Sequence, residues 1–235
     1  MVKMMGTAKR AKIPILGLGV LAGLLGPRIV DAQALLDQGI LSVRDASGII
    51  GHEEFTVTTT GQGISIATMT LYPPRRTRVT LRSTINLAPD STPNTATFTA
   101  SDGRDRSVLA QFTSRRLTIR VNAPQGESVA EYPRPPRALV VDDSIFALYA
   151  VPPGLEAGAL QLVAPRTGAR MEAELEDLGR GTTTIAGERR QLSHFVLRTG
   201  TGARHIWYDE AGRLVKVELE TGLVAERMPA GRTGW

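Results

Sequence analysis

Apolar and polar residues alternate one by one along stretch after stretch of this chain, and that period of two leaves room for little besides β-structure. Phe55, Val57 and Thr59 share one side of a run whose other side carries Glu54, Thr56 and Thr58. Val79, Leu81, Ser83, Ile85 and Leu87 alternate with Thr80, Arg82, Thr84 and Asn86. The pattern returns at Leu117, Ile119 and Val121, at Met171, Ala173 and Leu175, and at Val215, Val217 and Leu219. Successive side chains of a strand point to opposite faces, so each run predicts a sheet with one buried and one solvated side. Gly61-Gln62-Gly63, Asp102-Gly103, Ala211-Gly212 and Thr221-Gly222 fall between the runs, where glycine supplies the positive φ of a tight turn. Thr199 to Gly202 separates two more. Together they predict a mostly β fold, an antiparallel, strongly curved sheet or half barrel, rather than an α/β fold.

Helix signals are few. Residues 34–38 predict one short helix. Asp142, Asp143 and Ser144 precede an apolar run, 145–149, that stops before Pro152-Pro153, which predicts an N-cap and a second short helix. The proline-bracketed segment 132–153 is expected to cross between two groups of strands as a linker or a lid. The remainder, 33–235, reads as a single β-rich domain.

Residues 1–32 read as a secretory signal. Lys3, Lys9, Arg10 and Lys12 form a basic start, 13–26 is apolar and uncharged, and Val30 and Ala32 place small residues for cleavage before Gln33. The apolar stretch is shorter than the roughly 20 residues a membrane span needs. Cleavage predicts a periplasmic or extracytoplasmic protein. An uncut segment predicts an anchor in the inner membrane, the one circumstance that makes the membrane a partner. The chain has no cysteine, which excludes a lipidated N-terminal cysteine, disulfides, thiol catalysis and thiolate metal sites.

The signal also accounts for the basic character. The chain carries 28 Lys and Arg against 23 Asp and Glu, net +5. Residues 1–32 hold five of the bases and one acid, so 33–235 has 23 against 22, or +1. The pI near 10.0 therefore belongs mostly to the leader, and no nucleic-acid partner follows from it.

No catalytic or cofactor motif emerges. The three histidines, His52, His194 and His205, show neither HxH nor HExxH spacing, so they predict scattered strand residues and no metal site. Ser144 lacks the glycine-flanked setting of a nucleophile. Glu53 and Glu54 are adjacent on a strand and point to opposite faces, which rules them out as an acid/base pair. Arg75, Arg76, Arg78 and Arg82 form the densest basic patch after the leader; it suits either an anionic headgroup or acidic partner, or a solvated loop and polar strand face. Trp207 and Tyr208 lie on opposite faces of a strand, so one ring is expected in the core and the other against a ligand or partner. Phe146 and Tyr149 join them as candidate ligand contacts.

Residues 48–55 (GIIGHEEF) and the closing pattern from Trp207, Tyr208 and Asp209 through Gly212 to Glu218 resemble hairpins of poorly characterised exported bacterial envelope domains. The architecture of those domains is similar to the LolA/LppX lipoprotein-carrier group, a sheet curled into a half barrel around an apolar cavity. The resemblance implies a non-enzymatic periplasmic domain that binds or carries an apolar or lipid-like ligand. It carries over no binding residues, because no ligand-contact motif matches position by position. The alternative expectation is an accessory or structural subunit of a membrane-associated envelope complex, with another envelope protein as partner.

Overall fold

Hairpin follows hairpin wherever the alternating runs meet a glycine turn. The computed structural model describes residues 33–72, 79–101, 106–150 and 156–229. Eight strands come first: β1 (Ala34–Asp45), β2 (Gly48–Thr60), β3 (Gly63–Tyr72), β4 (Val79–Leu87), β5 (Pro93–Ser101), β6 (Arg106–Phe112), β7 (Arg116–Ala123) and β8 (Gly126–Pro133). After β9 (Ala138–Val140) and a 3₁₀ turn, Ala147–Tyr149, come β10 (Gly158–Ala164), β11 (Ala169–Ile185), β12 (Glu188–Thr199), β13 (Gly202–Tyr208), β14 (Leu214–Leu219) and β15 (Val224–Arg227). All fifteen join one sheet, ordered β8-β7-β6-β5-β4-β3-β2-β1-β15-β14-β13-β12-β11-β10-β9. Every described pairing is antiparallel except β9 with β10.

This order forces the sheet to curl. The chain leaves at one edge, β8, and re-enters at the other, β9, with only residues 134–137 between them. Laid flat at about 4.8 Å per strand, the edges would stand about 67 Å apart. Five Cα steps reach about 18 Å. The edges must therefore come together. The Arg170 guanidinium, in β11, indeed lies 3.9 Å from the centre of the Tyr132 ring, in β8, and β9 packs against β5.

The inner face of the curl holds the main apolar cluster, with Leu41, Phe55, Val57, Ile66, Ile85, Phe98 and Leu117 from successive strands. Inside it lies residues 138–150, called the plug below. Ile145, Phe146, Ala147, Leu148 and Tyr149 are all buried, and the 3₁₀ turn packs on β3 and β14. Residues 134–137 lead from the β8 edge to the β9 edge, and the apolar run that follows is buried against the inner face; residues 151–153 of the segment 132–153 lie outside the described residues.

Two local expectations are overturned. Residues 34–38 are strand rather than helix: Ala34 pairs with Thr59 and Gln38 with Thr56. The neighbouring strand supplies a long-range ladder that outweighs a weak local helix preference. After Asp142-Asp143-Ser144 there is one 3₁₀ turn, and Ser144 does not cap it. Phe146 stands at the cap position with no side-chain bond of its own, and the cap comes from Glu53.

Candidate functional site

Glu53 sits on the inward side of β2 with no solvent exposure. Its Oε2 accepts the Phe146 N–H at 2.7 Å and its Oε1 accepts the Ala147 N–H at 2.9 Å. These are donors that the start of a helical turn leaves without partners. Burial pushes the carboxyl up to about 8, against the lowering effect of the two N–H groups. Glu53 is thus largely protonated at neutral pH. Thr70, across from it on β3, is buried, and its hydroxyl favours the charged carboxylate as the two N–H groups do.

Other polar contacts tie the plug to the sheet. Asp142 takes a two-point contact from Arg166, at 2.6 and 2.9 Å, and accepts the Ser144 N–H at 2.9 Å. Arg204 of β13 reaches Asp143 at 3.0 Å. The Tyr72 hydroxyl donates to the Ser144 carbonyl at 2.8 Å and the Tyr208 hydroxyl to the Tyr149 carbonyl at 2.5 Å. Burial holds both phenols well above their ordinary range. Phe146, Tyr149 and Tyr208 are therefore core residues, engaged with one another inside the curl.

Trp207 faces the other way, and the outer face explains why it is buried. In β11 the Asp177 carboxylate accepts the Gly179 N–H at 2.8 Å, and Gly179 takes φ +70°. The register with β12 shifts between Asp177 and Arg180, and the hairpin bends. Its distal half, residues 180–191, forms a flap over the outside of β13–β15. Lys216 reaches up to Thr183 Oγ1 at 3.1 Å and to the Thr184 carbonyl at 3.2 Å, and it pairs with Glu218 at 2.7 Å. Ile185, Leu192, Trp207 and Val215 make a second apolar cluster beneath the flap. A Cβ at Gly181 would stand 2.9 Å from the Trp207 ring, so only glycine allows this approach. Residues 214–217 are consequently buried on both sides, where alternation predicts one.

The flap tip forms one wall of a groove of about 1260 Å³. The opposite wall is the outer side of β1–β3, with Ile40, Glu54, Ala67 and Met69. Ile185, Val215, Met228 and Pro229 add apolar surface, and Arg190, Arg213 and Arg227 bring positive charge. Arg213 is held by Asp209 at 2.7 Å and Arg227 by Asp37 at 2.6 Å. Arg190 has no charged partner among the described residues.

The histidines are less scattered than their spacing implies. His194 Nε2 and His205 Nδ1 are 3.0 Å apart, and His194 stacks on Trp207 with ring centres 3.7 Å apart. Burial and the His205 neighbour lower the His194 pKa. The two rings come from outward positions on adjacent strands, β12 and β13. Among the described residues no three metal-ligating side chains gather.

Of the expected basic patch, Arg82 is exposed on β4, while Arg75, Arg76 and Arg78 lie outside the described residues, as do residues 1–32 with the bond after Ala32. Gln33 is exposed. Glu53 was legible only as a charged residue in register with Gly51, Phe55 and Val57 on an inward face. The groove had one weak signal, the Asp177-to-Gly179 interruption inside an alternating run.

No curated protein and no solved structure matches this chain. Residues 94–226, from β5 into β15, match the family described as a domain of unknown function (DUF6134), and the chain belongs to that family.

Proposed function

We propose that this is a non-enzymatic, extracytoplasmic domain that binds an amphipathic, lipid-like ligand in the groove between the flap and the outer side of β1–β3. The observation that carries this reading is the groove itself: about 1260 Å³, lined by apolar Ile40, Ala67, Met69, Ile185, Val215 and Met228 together with charged side chains, among them Glu54, Glu188 and Arg190. Ligand sites are concave and mostly apolar, with few polar groups to set orientation. The signal-like leader and the resemblance to lipoprotein carriers support the same reading. The difference from a half-barrel carrier is the place of binding, since the plug packs on the inward face.

Delipidated protein titrated with a fluorescent fatty acid should show saturable binding at micromolar concentration. Ala67→Trp, which puts a large ring into the groove from an outward position, should weaken it about tenfold or more, the loss of one well-buried apolar contact. Binding that is absent, or that Ala67→Trp leaves unchanged, counts against the groove.

A second reading, an accessory subunit of an envelope complex, is favoured by β8. Among the described strands it pairs only with β7, and Val129 on it is 52% exposed. An unpaired edge accepts a strand from another chain. Recovery of free monomer alone from solubilised membranes would remove this reading.

A further inference from the structure

We propose that His194 and His205 form a two-nitrogen site for a divalent transition-metal ion, copper(II) before the others, on the outer face of β12 and β13. They stand eleven positions apart in the chain, so their spacing gives no sign of it. Antiparallel register sets His194 opposite Trp207 and His205 opposite Val196, which makes the two imidazoles diagonal neighbours on one face. His194 Nε2 and His205 Nδ1 lie 3.0 Å apart. Imidazole nitrogens hold such ions at about 2.0–2.1 Å. An ion that far from both nitrogens, at their present separation, would have bonds meeting at about 95°. Neighbouring ligands of a square-planar centre meet at a right angle, and that geometry suits copper(II) with nitrogen and oxygen donors. A tetrahedral ion would need the nitrogens about 3.3 Å apart. Copper(II) also stands highest in the affinity order of the divalent first-row ions.

The surroundings suit the rings to this role. As they stand, the facing nitrogens share one N–H, and the tautomer decides which ring donates it. With the His194 proton on Nδ1 and the His205 proton on Nε2, both facing nitrogens offer lone pairs, and a turn of the rings aims them at one ion. Burial and the His205 neighbour lower the His194 pKa, which favours the neutral imidazole that binds metal. Trp207 stacks on His194 with the ring planes 5° apart, so His194 is held in place while His205 adjusts. Both histidines are half-buried, and His205 lines a surface depression of about 450 Å³ with Arg198, Thr199 and Glu220 among others, through which a hydrated ion reaches it. The flanking cations are compensated: Arg198 pairs with Glu176 and Lys216 with Glu218, each at 2.7 Å. No third ligating side chain joins the pair among the described residues, so water fills the remaining positions of the ion.

The test titrates the full chain with copper(II) chloride in a non-coordinating buffer, in a Trp235→Phe background that leaves Trp207 as the one tryptophan of the sequence. Copper(II) should quench Trp207 emission and saturate at one equivalent, because His194 lies against that ring. Electron paramagnetic resonance of the frozen complex should show two imidazole nitrogens on the copper. His205→Gln leaves the His194–Trp207 stack in place and should weaken binding about tenfold or more, at least the cost of disturbing a ligand's support. His52→Gln, on β2, should leave the titration unchanged. Thermal unfolding without copper checks that each variant is folded, and the resonance measurement needs no variant. Zinc(II) should bind about tenfold or more weakly than copper(II). Quenching that never saturates, quenching retained at full affinity in folded His205→Gln, or a copper signal with fewer than two imidazole nitrogens overturns the site. Zinc(II) bound as tightly as copper(II) overturns the choice of ion.

Discussion

Glu53 is a carboxyl with no water contact whose two oxygens hold the first two free N–H groups of the plug turn. Its pKa rises from 4.5 to about 8 because burial penalises the charge. A group whose folded pKa lies above its unfolded value binds more protons in the native state across the interval between them. Its contribution to stability is therefore complete below about pH 4.5 and is lost as pH rises to about 8. Thermal unfolding should show a decline across that window, on the order of a few kcal/mol, and Glu53→Gln should flatten it. His194 has the opposite sign. Its lowered pKa removes stability as pH falls below the ordinary histidine value of 6.5, so the two effects separate in the Glu53→Gln background. At Gly181, alanine would press its Cβ on the Trp207 ring and should cost about 1–3 kcal/mol, the range for overpacking, with a red shift in tryptophan emission as the flap lifts. Neither role was legible beforehand. Sequence showed that Glu53 and Glu54 point apart; which of the two faces the core depends on register, and that is set by pairing with β1 and β3.

Among the elements, strands were the readable part, because period-two alternation is itself a record of one buried side. It misled at β14, where alternation marked Val215, Val217 and Leu219 while the flap also covers Lys216 from outside. It was silent on 34–38, whose Leu35, Leu36 and Asp37 look helical locally and are held as strand by β2. The plug was visible as an apolar run whose Asp-Asp-Ser preface predicts an N-cap, but the observed cap, Glu53, lies on another strand. That assignment is testable. Ser144→Ala should change stability by less than about 0.5 kcal/mol, as for a surface change. Asp142→Ala removes the two-point contact with the Arg166 guanidinium, whose side chain is 18% exposed, and should cost about 2–3 kcal/mol, below the figure for a fully buried pair. A cost of about 1 kcal/mol or more for Ser144→Ala in urea titrations, the size of a lost serine cap, would contradict the assignment.

At the scale of the whole sheet, the curl follows from strand order and one short connection, and neither is contained in hydrophobic periodicity. Spin labels at Val129→Cys on β8 and Ala159→Cys on β10, simple to place in a cysteine-free chain, should lie within about 35 Å; a flat sheet would separate them by about 62 Å. The curl also gives the two faces different contents, an inside with the chain's own plug and an outside with a flap and a groove. Hydrogen exchange with and without the fatty acid addresses the place of binding most directly. Protection should rise in β1–β3 and at the flap tip, 185–190, while amides of 138–150 exchange at an unchanged rate. A ligand that instead speeds exchange in 138–150 and leaves the flap tip untouched would show that the plug gives way and the ligand enters the interior, contradicting an outer binding site.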